Sequence, residues 1–543
     1  MRVGFVLFVG FAAAASAQTP GNCAHGRASA VLDVGQVEAQ LFTTGMLFYG
    51  PEGAAQYTVP KRSGVSAIYA AALWVGSTVG GEFRASGATY GQGGRNNDYF
   101  EFWPGPLDDG TAALPDPADC SAYDRIWTVA ATDVAAYEAG TAPSADLAEW
   151  PTGLGAPTRD AGGQPVQPTR RDQRIDLAAG ERPDLLGRQT AFWVMNDVGN
   201  VHRSFGSAPL GVEVRVLAGA FSDPASALLS TATAYRFEIV NRSPETLNDL
   251  RAGFFLEWDL GNGADDYVGS DSTRSLGVVY NADNNDNGAY GNAPPAMGLD
   301  LLTGAYSVMY AVGGDGNRRD PYNAVGVDRV MRGIWPDGTP MTASGSGYGT
   351  AGRRTRWAYS GRAETGAYWS ELDASVESGR QPTTTGDRRM FMSSTAVTLA
   401  PGEATAVDAV LLYARGSDHL RSVTKLREAS STFQAQYDAG RHFPARVRPV
   451  ARDAGPASGA LALSVRPNPA ADRLTAEITL AHPGAVRLRL VDVLGRTVRD
   501  VTATRPAGAA ALAVPLGGLA AGLYVVRVEA AGAHATQTVT VTR

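Results

Sequence analysis

The stretch "EWDLGNGADDYVGSDSTRSLGVVYNADNNDNG" (257–288) concentrates the side chains of this sequence most able to do chemistry. It carries Glu257, Asp259, Asp265, Asp266, Asp271, Asp283, Asn285, Asp286 and Asn287, spaced by glycines. Calcium takes roughly six to eight hard oxygen ligands from carboxylates, amide carbonyls and backbone, and a loop of this composition can supply them. Asp283, Asn285 and Asn287 followed by Gly288 match the opening D-x-[DN]-x-[DN]-G of a calcium loop. Position twelve of that loop is Pro294 rather than a bidentate glutamate, so it is no EF-hand. A looser calcium site is expected from Asp259, Asp265, Asp266, Asp271, Asp283, Asn285 and Asn287, with the ion locking long loops onto a sheet. The competing reading is that Asp, Asn and Gly simply form turns here. The same residues admit an enzyme. In a strand, Glu257 and Asp259 point to one face, opposite Trp258, with Cβ atoms about 7 Å apart, and paired carboxylates can hydrolyse glycosides. A pair at a strand end inside a run of other acids suits ligation or solvation better. The expected body is therefore a structural, adhesive or ligand-binding module; a glycan-directed hydrolase using carboxylates around 257–271 is the alternative.

Other catalytic signatures are missing, and no catalytic residue is assigned. The six histidines are scattered, without H-E-x-x-H, and neither G-x-S-x-G nor a P-loop occurs. Tyr90, Tyr99, Phe100, Phe102 and Trp103 cluster in "TYGQGGRNNDYFEFWPGP" and could stack on sugar rings. "YFEFW" reads better as a strand whose aromatics fill a core.

The elements that must position these groups are mostly strands. The 64 glycines and 31 prolines call for many turns, as a mainly β, multidomain chain requires. "TAYRFEIV" places Tyr235, Phe237 and Ile239 on one face; "LRAGFFLEWDL" does the same for Leu250, Ala252, Phe254, Leu256 and Trp258. "VDAVLLYARG" (407–416) reads as a closing strand of that β-sandwich. The long helix follows it, with Leu420, Val423, Leu426, Phe433 and Tyr437 near one face and Gly440 as its stop. Shorter helices are expected at "DPADCSAYDRIW", capped by Asp116, and at "TDVAAYEAG", capped by Thr132. The expected organisation is a signal peptide at 1–17, a mostly β domain at 18–140 and a surface connection at 141–190. A sandwich domain with acidic loops and a terminal helix follows at 191–440, then a linker at 441–460 and a small β unit at 461–543.

The first residues read as a secretory signal: Arg2, an apolar run from Val3 to Ala14, and the cleavage site Ala15-Ser16-Ala17. No later segment is apolar enough to span a bilayer as a helix. The net charge of −7 gives no electrostatic support for a nucleic-acid partner. Outside the cell, two thiols and no others favour a disulfide between Cys23 and Cys120 over two buried free thiols.

The last eighty or so residues restart with rigid Pro-Asn-Pro and then alternate as short strands, without helix or clustered titratable groups. This pattern suggests an immunoglobulin-like β-sandwich. Three motifs in order, "VRPNPAADRL" (465–474), "DVLGRTV" (492–498) and "LAAGLYVVRV" (519–528), resemble the type A C-terminal sorting domain of the type IX secretion system. Residues Pro467, Asn468, Pro469, Asp492, Gly495, Arg496, Gly522 and Tyr524 carry the likeness. Arg466 stands where the family usually has an aromatic residue. The resemblance implies passage of the inner membrane by the signal peptide, then recognition of the folded tail by the secretion machinery at the outer membrane. The destination is the cell surface or medium, where the partner would be a glycan or protein ligand. Stretches of the body, among them "FWPGPLDDG", "WVMND", "MRGIWPDGTPM" and "DRRMFMSSTAVTLAPGE", resemble large secreted Bacteroidota proteins of unassigned activity.

Overall fold

The computed structural model describes residues 21–50, 55–87, 100–116, 120–223, 225–312, 318–349, 352–373, 383–445, 463–480, 484–492, 496–506, 508–530 and 533–542. The expected signal peptide and most of the expected linker lie outside them. The chain divides into two compact units, Met1–Ala451 and Arg452–Arg543. The first unit runs through the expected boundaries at 140 and 190. No helix among the described residues is long and apolar enough to cross a membrane.

Among the described residues, two large antiparallel sheets and two two-stranded ribbons form the larger unit. In one, the strand Leu247–Trp258 lies between Ser66–Val79 and Arg388–Ser394, with Ala305–Val312 beyond the latter. In the other, the order is Asp266–Asp271, Leu276–Asn281, Ala296–Leu301, Ala404–Ala414, Thr233–Asn241, Val212–Ala220 and Gln189–Asn196. The period-two faces read from the sequence meet between them: Tyr235, Phe237 and Ile239 share a buried cluster with Ala252, Phe254 and Leu256. Phe237 and Phe254 lie 5.3 Å apart, centroid to centroid.

The strand Ala404–Ala414 is buried on both faces. Ala409 and Leu411 face the inter-sheet core, whereas Val410 and Leu412 pack under the helix His419–Asp438 with Val423, Leu426 and Phe433. That helix is capped as its sequence demands: the Asp418 side chain accepts the Arg421 amide, and Gly440 follows at φ +72°.

Three local expectations are corrected. The helix near 132 spans Ala131–Glu138, beginning before Thr132 because Asp133 reaches back to accept the Ala130 amide. Among the described residues of "DPADCSAYDRIW", only the 3-10 turn Ser121–Tyr123 forms. Residues 141–190 are a packed segment as well as a connection. Leu147, Trp150, Leu154, Ile175 and Leu186 enter the second core, and their irregular spacing follows no helical or strand period. Cys23 and Cys120 are joined as a disulfide across a separation of 97 residues, with Cα atoms 5.3 Å apart. Phe100, Phe102 and Trp103 are buried, as the core reading expects, but of them only Trp103 lies in a strand, Trp103–Pro104; Tyr90 and Tyr99 lie outside the described residues.

The smaller unit has seven strands, Leu463–Arg466, Arg473–Leu480 and Gly508–Pro515 in one sheet and four more in another. Leu474 and Val514 of the first sheet share one buried cluster with Leu488, Leu490, Val526 and Val528 of the second.

Candidate functional site

The strand Leu247–Trp258 delivers its last acidic residues to a surface depression of about 600 Å³ lined by Tyr69, Glu257, Asp259, Gly263, Thr385 and Asp387. The register explains the arrangement. Glu257 stands opposite Arg389 on the neighbouring strand, and the guanidinium Nε lies 2.8 Å from Glu257 Oε2. Arg389 also reaches Asp387 at 2.9 Å and Asp320 at 3.5 Å. One cation is thus shared among three carboxylates, with Asp259 beside them. Asp259 has its pKa pushed up to about 6, mainly by burial and further by the negative charge of Asp387. Burial likewise raises Asp320 to about 6, against the pull of Arg389. Tyr69 is raised too, by burial first and then by Tyr49, Glu257 and Asp259. The loop after the strand folds tightly over Asp259: a Cβ on Gly263 would stand 2.2 Å from its Oδ1, so a side chain there would have to displace the carboxylate.

The seven expected calcium ligands do not come together. Among the described residues, no group of three or more His, Cys, Asp or Glu side chains is placed to hold an ion. Asp259 faces the depression. Asp271 turns to arginines: it pairs with Arg427 of the long helix and lies 2.8 Å from Arg274. Asp283, Asn285 and Asn287 satisfy one another in a turn, Asp283 accepting the Asn285 amide and Asn287 the Asn285 side chain. Asp286 accepts the amides of Asn262 and Tyr290 and thereby ties two loops together. Asp266 is fully buried, accepts the Leu260 amide, and is raised well above the usual carboxylate range by desolvation. Asp265 is raised by burial and then by Asp286. Because these loops close by hydrogen bonds and arginine pairs, excess chelator is expected to leave the melting temperature of calcium-equilibrated protein unchanged. A fall of more than about 5 °C, which at ~2.1 cal/mol/K per residue corresponds to roughly 4 to 5 kcal/mol in a unit this large, would restore a structural ion.

Sequence reasoning reached Glu257 and Asp259 but missed Asp387, which also lines the depression, and Arg389 and Asp320, which pair beside it. The available signal was "GDRRMFM", in which charges run directly into a buried apolar strand.

In the smaller unit the motif residues hold the ends of strands. The Asn468 side chain donates to the Thr538 carbonyl at 3.0 Å and accepts the Thr540 amide at 2.9 Å, fastening the Pro467-Asn468-Pro469 segment to the strand Ala533–Val541. Asp492 accepts the Arg496 amide and pairs with its guanidinium; Gly495, between them, lies outside the described residues. Gly522 begins the strand Gly522–Ala530, and Tyr524, buried in it, donates to the Ala520 carbonyl. Residues 464–542 match the family model described as the secretion system C-terminal sorting domain. The chain carries a type IX sorting domain. A sorting domain directs export to the cell surface or the extracellular space, and its partner is the type IX machinery. No curated protein matches the chain. A solved polysaccharide lyase is similar at 11% identity, over 61% of this chain and 34% of that one, with a TM-score of 0.17. The chain spans about a third of that protein's length, and so low a score defines no common fold.

Proposed function

We propose that the exported body is a ligand-binding module of the cell surface or medium, and that a hydroxyl-rich glycan is held at the depression around Asp259. The observation that supports this reading is the fixing of Glu257, Asp320 and Asp387 around one guanidinium. Such a set presents rigid acceptor oxygens to sugar hydroxyls at little entropic cost, because the side chains are ordered before binding. Tyr69 adds a ring at the rim. Glu257 is less suited to act as a base, since an oxygen that would take a proton is engaged by Arg389.

A second reading, glycan hydrolysis, draws on the raised pKa of Asp259 beside the ion-paired Glu257, as a general acid next to a carboxylate would need. One experiment separates the two. The exported protein and its Asp259→Asn and Asp387→Asn variants are titrated with neutral surface glycans, and the same mixtures are followed for new reducing ends. Asp259→Asn is expected to weaken binding about tenfold through loss of charge-assisted hydrogen bonds, with no reducing ends formed by any form. Steady release of reducing ends by the wild type, abolished in Asp259→Asn, would replace binding by hydrolysis. Unchanged affinity in both variants would remove the depression from the function.

A further inference from the structure

On other strands and loops of the same unit lies a cleft of opposite charge. It has a volume of about 470 Å³, and its walls include Arg332, Arg353, Arg354 and Arg356 above the apolar side chains of Met341 and Trp357. No acidic residue lines it, although the chain as a whole carries a net charge of −7. The four arginines are not equivalent. Arg332 is neutralised by Asp328 at 2.6 Å and by Asp249. Arg356 lies over the Tyr306 ring, 4.0 Å from its centroid, and donates to the Tyr306 hydroxyl. Arg353 and Arg354 are exposed, and among the described residues neither guanidinium has a hydrogen-bond or ion-pair partner.

The backbone that carries them is held from both sides. Thr355 donates its amide to Met341, and the Arg353 carbonyl accepts the Ala343 amide. On the other flank Val308 donates to the Arg356 carbonyl and receives the Ala358 amide. Gly333 closes the base of the cleft at φ +74°, where a Cβ would stand 2.8 Å from Arg356 Cβ. The cleft is therefore preformed: a rigid extended segment presents two unpaired guanidiniums beside a half-buried indole.

We propose that this cleft binds an acidic glycan, a chain of sugar rings bearing carboxylate or sulfate groups. A guanidinium offers a planar fork of donors that matches a carboxylate or sulfate edge, and it stays charged at any pH the exported protein meets. The half-buried indole supplies an apolar face for a sugar ring. A single-stranded nucleic acid, which is held by stacking successive bases on several rings, fits less well beside one indole. The site shares no residue with the depression around Asp259 and does not depend on that reading.

The test is titration of the full exported chain with polygalacturonate, with a sulfated galactan, with neutral dextran and with single-stranded DNA. The wild type is expected to bind one or both acidic glycans without competition from dextran, and the stronger of the first two identifies the anion. Arg353→Gln/Arg354→Gln, two exposed changes that leave the packing intact, is expected to raise Kd at least about tenfold, the loss of two charge-assisted contacts. Trp357→Ala is expected to weaken binding to both acidic glycans alike. Displacement of the acidic chains by dextran, preference for DNA, or an unaltered Kd in the double arginine variant would each overturn the proposal.

Discussion

Replacing Glu213 by alanine is expected to destabilise the body by about 3 to 5 kcal/mol, the range for leaving buried charges without their counter-ion. Glu213 is inaccessible to solvent and receives four donors: Arg242 through two nitrogens, Arg215 Nε and the Leu107 amide. Burial opposes its ionisation, yet the two guanidiniums prevail and hold its pKa down to about 2. Its folded pKa lies below the unfolded value, so its contribution is present above about pH 4.5 and is lost as pH falls towards 2. Urea unfolding at pH 7 measures the first effect. Repeating it between pH 5 and pH 2 measures the second, as a steeper loss of stability in the wild type than in Glu213→Gln. An exposed pair sets the scale: exchanging Arg170 and Asp172, both mostly solvent-accessible, is expected to change stability by less than about 1 kcal/mol. A Glu213→Ala protein within about 1 kcal/mol of wild type would show that water or relaxation compensates Arg215 and Arg242.

That network also marks how far the sequence could be read. The alternation in "TAYRFEIV" and "LRAGFFLEWDL" specified the inter-sheet core because the cause, one buried face per strand, is local. The helix His419–Asp438 was legible for the same reason, through its apolar stripe and the Asp418 cap. The covering of the second sheet's outer face was not legible, because it depends on where that helix and residues 141–190 come to rest. Once covered, that side of the sheet has to pair its charges. Glu213 and Arg215 alternate with Val212, Val214 and Val216 in "VEVRV", which reads as a solvated face but is buried. The partner, Arg242, comes from the adjacent strand's end, and nothing at 29 residues' separation announces it.

Arginines supply the counter-ions of the interior: Arg242 for Glu213, Arg388 for Glu371 and Arg427 for Asp271. The candidate site was legible to the same degree. Glu257 and Asp259 were visible as two acids on one face of a strand; Arg389, which decides what their oxygens can do, arrives by sheet register. In the acidic loops, the turn-forming reading accounts for Asp283, Asn285, Asp286 and Asn287 through named hydrogen bonds. The composition that suggested calcium is the composition that builds tight turns, and only the partners of each oxygen distinguish the two.

The sorting domain offers the other all-or-none prediction. A chain lacking residues 464–542 is expected to remain inside the outer membrane, where the full chain reaches the surface or medium; immunoblots of fractionated cells read the difference. What the machinery takes as its signal can then be narrowed by a single residue. Leu488 is fully buried in the strand Gly484–Asp492, paired on one side with Val501 and on the other with Val528. Leu488→Asp places a carboxylate in that core at a cost of several kcal/mol, roughly the whole stability of a domain this small. The variant is expected to be retained as completely as the truncated chain. Its neighbour gives the control: Arg487 points outward and pairs with Asp500 at the surface, a contact worth about 1 kcal/mol or less, so Arg487→Ser is expected to be exported normally. Export of Leu488→Asp at the wild-type level would mean that the motifs are read as linear segments, and that the seven strands serve something other than delivery.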